Sequence, residues 1–223
     1  MAAEALPEVE VGWHGFAGDR RWAFVQDALV RSGFPWLTIR DRADMWHFQP
    51  SFARPDRPDA SRMIVRTPSG AEYDVVDPGL ASELGGGVRA IKQNRGAFDA
   101  MPLSLITTQT IASLGAAAGV VERLDPLRFR PNLLVEAASV GAGFPEDQWV
   151  GRELAIGSLR MRVDQRDERC VMINANPSTT ERDLPLLKAA GAAHDACAGV
   201  YGTVVAPGRV SVGDEVVIQN VLH

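Results

Sequence analysis

Apolar and polar residues alternate with a period of two in many short runs along the chain. Arg21-Trp22-Ala23-Phe24-Val25-Gln26 reads as a strand, and Trp36-Leu37-Thr38-Ile39 as a second one after a turn at Ser32-Gly33. Met63–Thr67 and Glu72–Val76 flank Pro68-Ser69-Gly70-Ala71, the pattern of a hairpin. Further strands are expected at Leu133–Glu136, Glu153–Ile156, Arg160–Val163, Gly202–Val205 and Glu215–Ile218, punctuated by Gly157-Ser158, Pro207-Gly208 and Gly213-Asp214. Helical spacing is confined to two segments. Thr108–Ala118 places Ile111, Leu114 and Ala118 on one face, with Thr108 as N-cap and Gly119 as stop; Asp183–Ala190 is capped by Asp183 and followed by Gly191.

Many short strands with a few short helices predict a mainly β fold, a closed or nearly closed barrel. One domain is expected over 1–223, with an N-terminal barrel portion at 1–95 and a core at 96–223. The Pro/Asp/Arg cluster Arg54–Arg62 reads as a loop, Gly85-Gly86-Gly87 is too short for an inter-domain linker, and no repeat of fixed period is present.

Composition narrows the function classes. With 46% hydrophobic and 23% charged residues the chain is ordinary globular material, and a net charge of -5 argues against general nucleic-acid or anionic-membrane binding. Positive charge is almost all arginine, Lys92 and Lys188 being the only lysines; planar guanidiniums suit oxyanions, although a coding bias produces the same count. Two cysteines, Cys170 and Cys197, cannot build a disulfide framework or a four-cysteine zinc site. The opening residues lack a signal-peptide pattern and no run of about 18 apolar residues occurs, so a reducing cytoplasm, where thiols persist, is the expected compartment.

Candidate chemistry centres on Cys170, just past a predicted strand in Arg166-Asp167-Glu168-Arg169-Cys170. Arg166 and Arg169 favour a thiolate there, Asp167 and Glu168 oppose it, and a buried inert cysteine is the alternative. If Arg128-Phe129-Arg130-Pro131-Asn132 runs extended, Arg128 and Arg130 share a face with Asn132 following, either as an anion clamp or as a solvated edge. Alternation in Gly18-Asp19-Arg20-Arg21-Trp22 turns one arginine inward, where it needs Asp19 or an anionic ligand; Arg40 poses the same question. Glu146-Asp147 is read as turn acidity, and Cys197 as structural or incidental in a loop-like stretch. Phosphate-loop, dinucleotide and serine-hydrolase motifs are absent, and His14, His47, His194 and His223 form no i, i+4 pair for a metal.

In order, Gly18-Asp19-Arg20-Arg21-Trp22, Leu37-Thr38-Ile39-Arg40, Leu105-Ile106-Thr107-Thr108-Gln109-Thr110, Arg128-Phe129-Arg130-Pro131-Asn132, Pro145-Glu146-Asp147-Gln148-Trp149, Arg169-Cys170, Gly199-Val200-Tyr201-Gly202 and Pro207–Asp214 resemble the MOSC family, the domain at the C-terminus of molybdenum-cofactor sulfurases. The resemblance implies a barrel like that of pyruvate kinase. It implies that Cys170 carries sulfur as a persulfide or, as in amidoxime-reducing relatives, ligates molybdenum. Arg20, Arg40, Arg128, Arg130 and Asn132 would hold the phosphate and pterin of the molybdenum cofactor, assisted by Thr108 and Thr110 at the start of a helix. A cysteine-desulfurase-type sulfur donor or electron-transfer proteins would be the partners. Two alternatives follow: a small molybdenum-dependent reductase of N-hydroxylated compounds, and a cofactor-free anion-binding or interaction domain. The family's N-terminal Lys-Ser pair has no counterpart in Glu8–Trp13, and its Asp-Pro-x-Thr-Gly reads Asn176-Pro177-Ser178-Thr179-Thr180, which favours the last alternative.

Overall fold

Alternation is clearest at Leu159–Glu168, where Leu159, Met161 and Val163 are buried and Arg160 and Arg162 exposed, as expected of a strand with one face on a core. The computed structural model describes residues 1–97, 100–138 and 143–219. In chain order its strands are β1 (Glu8–Gly12), β2 (Gly15–Phe16), β3 (Trp22–Gln26), β4 (Gln49–Phe52), β5 (Met63–Arg66), β6 (Glu72–Asp74) and β7 (Val88–Lys92). They continue as β8 (Leu103–Thr107), β9 (Leu133–Val135), β10 (Glu153–Ile156), β11 (Leu159–Glu168), β12 (Cys197–Ala206), β13 (Gly208–Ser211) and β14 (Val216–Gln219). Among the described residues the α-helices are α1 (Pro78–Glu83), α2 (Thr108–Ala117) and α3 (Leu186–His194), none long and apolar enough to cross a membrane. The protein is mainly β.

Two compact units divide the chain, residues 1–4 with 17–98 and residues 5–16 with 99–223. In the first, β3 pairs with β7 and β4-β5-β6 form a meander over a core of Phe24, Met45, Phe48, Val65, Val75, Leu80 and Leu84. The expected hairpin is β5–β6, in the register Ile64↔Asp74. The strand expected at Trp36–Ile39 does not form; only a Val25↔Trp36 bridge remains. Asp41 Oδ2 accepts from both the backbone N–H and the hydroxyl of Thr38 at 2.9 Å, turning the chain instead of extending it.

The second unit contains a β13-β1-β2 sheet and a six-stranded sheet in the order β14-β10-β11-β12-β8-β9, antiparallel except for β8–β9. Leu103, Leu105, Leu154, Leu159, Met161 and Val200 pack as one core, and α2 and α3 cover a second around Ile106, Leu114, Phe129 and Leu186. Closure of the expected barrel is corrected here: the six-stranded sheet is open, with β14 and β9 as its edges. The strand that follows β12, β13, pairs with β1 in the separate sheet, and the short edge strand β9 pairs only with β8, so the two edges are not joined.

Candidate functional site

The site is organised by an irregularity between β11 and β12. Arg166 pairs with Val200 but Glu168 with Cys197, so β12 holds one extra residue at Ala198-Gly199. Gly199 has φ +83, and a Cβ there would lie 2.6 Å from the Leu105 carbonyl oxygen and 3.2 Å from Arg169 Nη2. Only glycine suits this position. Along β11 the buried parity is interrupted at exposed Gln165; Asp167 is buried again, as is the Arg169 side chain just past the strand, while Glu168 is exposed. Of the two arginines expected to flank the Cys170 sulfur, Arg169 is buried and Arg166 pairs with Asp195, two residues before Cys197.

Cys170 follows immediately, half-buried and unbridged, at the head of the 3₁₀ turn Val171–Asn174. The neighbouring Arg169 side chain is 8% exposed. Its Nε donates to the Ala198 carbonyl at 2.7 Å and Nη1 to the Phe129 carbonyl at 2.8 Å. Nη2 meets Asp167 Oδ2 at 2.8 Å as an ion pair outside hydrogen-bond geometry, and the guanidinium carbon sits 5.6 Å from the Phe129 ring centroid. Burial holds the guanidinium below its ordinary pKa, opposed first by Asp167 and less by Tyr201, Cys170 and Glu146.

The segment 128–132 is not extended, contrary to the sequence expectation. Pro126–Phe129 is a 3₁₀ turn capped by Asp125, whose side chain accepts from the Leu127 N–H, and Arg130 ends it in the left-handed region with φ 49. Arg128 turns inward as a result: its two Nη atoms each donate to an Asp183 carboxylate oxygen at 2.8 Å, and Nη1 also reaches the Asn174 carbonyl at 3.2 Å. This bidentate pair ties the turn to the segment after Cys170 and holds Asp183 below the usual carboxylate range. Asn132 Oδ1 accepts from the backbone N–H and hydroxyl of Ser104 at 3.1 and 3.2 Å, fixing the parallel β8–β9 edge. Arg130 is half-buried, one residue past the carbonyl that Arg169 holds.

The start of α2 differs from the expectation by one residue. Thr107, not Thr108, is the N-cap, accepting from the Thr110 N–H at 3.1 Å. The hydroxyls of Thr107 and Thr110 lie 2.7 and 2.8 Å from Glu146 Oε2, and the Thr107 N–H donates to Oε1 at 3.3 Å. Glu146 and Thr110 are both fully buried. A protein carboxylate therefore already occupies the positive end of this helix. Thr108 is half-buried and donates to Gln109 Oε1 at 3.1 Å. Sequence reasoning missed Glu146, which lies in a 3₁₀ turn, Pro145–Trp149, and points away from its neighbour Asp147. The sequence offers little signal for it, because Glu146 stands in the polar run Glu146-Asp147-Gln148 after a proline, which reads as a turn.

Cys197 is not in a loop; it opens β12 and is buried. Its thiol donates to the Asp195 carbonyl at 3.6 Å, and burial pushes its pKa up, with Arg166 opposing and Asp147, Glu168 and Asp195 adding to the rise. His194, at the end of α3, stacks on Phe144 with ring centroids 3.6 Å apart. Its Nε2 lies 2.6 Å from Asp147 Oδ2 and its Nδ1 3.0 Å from the Cys197 carbonyl oxygen. Arg166 Nη2 pairs with Asp195 at 3.2 Å.

Arg20 and Arg40 belong to the first unit. Arg20, with φ 51, pairs with Asp19 at 2.6 Å. The inward arginine is Arg21, whose partners are Asp59, at 3.0 Å, and the Asn94 carbonyl. Arg40 is exposed in the turn closed by Asp41, its N–H donating to Thr38 Oγ1 at 3.2 Å. Among the described residues no group of three or more His, Cys, Asp or Glu side chains is placed to hold a metal. A groove of about 680 Å³ lies against α2, lined by Thr108, Ala112, Ala116, Leu124 and Glu136 among others, and Cys170 does not line it.

A family model described as "MOSC domain" matches residues 92–217. Among solved structures, the chain is similar to YiiM from Geobacillus stearothermophilus at 18% identity and TM-score 0.41, over 53% of this chain and 54% of that one. It is similar to the YuaD protein from Bacillus subtilis at 15% identity and TM-score 0.48, over 95% of this chain and 84% of that one. The match to YiiM thus spans about half of that protein's length. No functionally curated protein matches.

Proposed function

The chain belongs to the MOSC family, associated with the molybdenum cofactor and sulfurase-like chemistry, and from that premise we propose that it is a sulfur-handling module with Cys170 as the working sulfur. The observation that carries the reading is the Cys170 thiol itself: half-buried, free, and on a turn after β11 directly following the buried Arg169. Persulfide transfer to such a thiol needs no metal and no oxidant. The Cys170 thiolate attacks the outer sulfur of a donor persulfide; a Cys170 S–S bond forms as the donor's S–S bond breaks, and the donor leaves as a thiolate that takes up a proton. A cysteine-desulfurase-type protein fits as donor, in a reducing compartment where the thiol persists.

The molybdenum cofactor, when bound, supplies a soft metal and an anionic phosphate. A cysteine sulfur such as Cys170 suits the first by ligand softness. Toward the second, Arg130 and Thr108 are the residues we assign in the second unit, Asn132 being fastened to Ser104. Arg128 and Thr110 we assign to the scaffold, because Asp183 and Glu146 hold their polar groups.

That commitment of Arg128 and Thr110 to internal partners also favours a second reading, a family member that handles anions or partners without the cofactor. Cyanide-releasable sulfur on purified protein, lost in Cys170→Ala and kept in Cys197→Ala, is the expected result for the sulfur carrier. Metal analysis of protein from molybdate-supplied cells distinguishes the two readings; no molybdenum above background removes the cofactor from the proposal. Reduction of an amidoxime with reconstituted electron donors would instead establish the reductase.

A further inference from the structure

Arg169 is a costly group to bury, and the space it fills would be served at lower cost by an aliphatic side chain. Its acceptors are not arbitrary. One is the carbonyl of Phe129, the residue before Arg130; another is the carbonyl of Ala198 at the β12 irregularity; and Arg169 itself directly precedes Cys170. A planar fork alone can serve carbonyls on two elements and a carboxylate on a third. Room for it depends on Gly199, since a Cβ there would approach Nη2 to 3.2 Å.

We propose that Arg169 is a positioning residue that fastens the turn presenting the Cys170 sulfur to the Arg130 loop, so that sulfur and loop keep one separation. The proposal rests on the reading of Cys170 as the working sulfur and makes no use of a bound cofactor. Losing the fork releases the turn locally while the apolar core beneath the sheet stays packed. The Cys197 thiol, inside the ladder, keeps its own partner, the Asp195 carbonyl.

The two free cysteines allow a test with an internal reference. Each is alkylated with iodoacetamide and followed by peptide mass spectrometry, and the rate constant is taken at the high-pH plateau, where both thiols are fully ionised and access alone decides. In Arg169→Ala the Cys170 constant rises about tenfold, as for a local opening, while the Cys197 constant stays at its wild-type value. Millimolar guanidinium chloride slows Cys170 again and urea at equal concentration does not, because the vacated carbonyls and carboxylate match a guanidinium. Arg169→Lys, which keeps the charge but loses the fork, gives a smaller rise and serves alone if Arg169→Ala does not fold. An unchanged Cys170 constant in a folded variant, a parallel rise at both cysteines, or indifference to guanidinium would each overturn the proposal. Wild-type protein that accepts no sulfur from a donor persulfide, together with the selective rise in Arg169→Ala, would sink the sulfur role and leave the positioning role standing.

Discussion

Cys170 and Cys197 sit at the same end of one antiparallel strand pair, yet their surroundings differ in kind. Cys170 heads a turn, half-buried, next to a buried guanidinium that is fastened to two carbonyls. Cys197 is inside the ladder, with its thiol on a carbonyl and its pKa pushed up by burial. Arg166 pairs with Asp195, two residues before Cys197, whereas Arg169, just past β11, is buried against the Phe129 and Ala198 carbonyls. Charge near a cysteine in sequence is therefore a poor guide to where that charge goes; the distant partner each arginine finds decides it.

The comparison breaks most severely at Gly199, where the extra residue of β12 makes room for Arg169. Gly199→Ala sets a Cβ against the Leu105 carbonyl at a left-handed backbone position, and a loss of about 3 kcal/mol or more in urea unfolding is expected. A loss near zero would mean the irregularity relaxes and does not define the Cys170 side. Next come the adjacent carboxylates of the Pro145–Trp149 turn, which point into different regions. Glu146→Ala removes the acceptor shared by two buried threonine hydroxyls and the Thr107 N–H and is expected to cost about 2–3 kcal/mol, whereas Asp147→Ala removes the contacts to His194 and Arg166 at a partly exposed carboxylate and costs about 1 kcal/mol. Equal losses would erase the distinction.

Smaller effects sharpen it. At neutral pH Cys170 is alkylated before Cys197, whose raised pKa and burial delay it, and the Cys197 rate keeps climbing into alkaline pH. Cysteine peptides labelled at equal rates would contradict the assignment. The least effect is expected at Asp183. Arg128 depresses its pKa in the folded protein, so the pair contributes stability above the unfolded carboxylate's pKa. That contribution is lost as pH falls through the lower folded value. Stability measured across the acid range should decline less in Asp183→Asn than in wild type, from a lower starting point; parallel curves would show that the pair does not contribute.

Much of the fold was legible. The hairpin at β5–β6, the strands β3, β10, β11 and β14, and helix α2 lie close to where alternation and spacing place them. The failures have local causes. Trp36–Ile39 carries strand-forming residues, but the Asp41 side chain competes for the Thr38 N–H, so the turn wins. Arg128–Asn132 was expected to be extended, but Asp125-Pro126 starts a 3₁₀ turn and swings Arg128 onto Asp183. The sheet stays open because β14 and β9 do not pair with each other and β13 pairs with β1 instead.

From the chain alone came the β-rich class, the family, and Cys170 as the residue on which chemistry would turn. These depend on local pattern and on residues that need no partner to be recognised. The tertiary structure alone decided which polar groups have internal partners: Arg128 by Asp183, Thr110 by Glu146, and Arg169 by carbonyls from two distant segments. Each pairing joins residues about 30 or more positions apart in the chain, and nothing in a period of two or of 3.6 encodes which distant acceptor a buried donor will find.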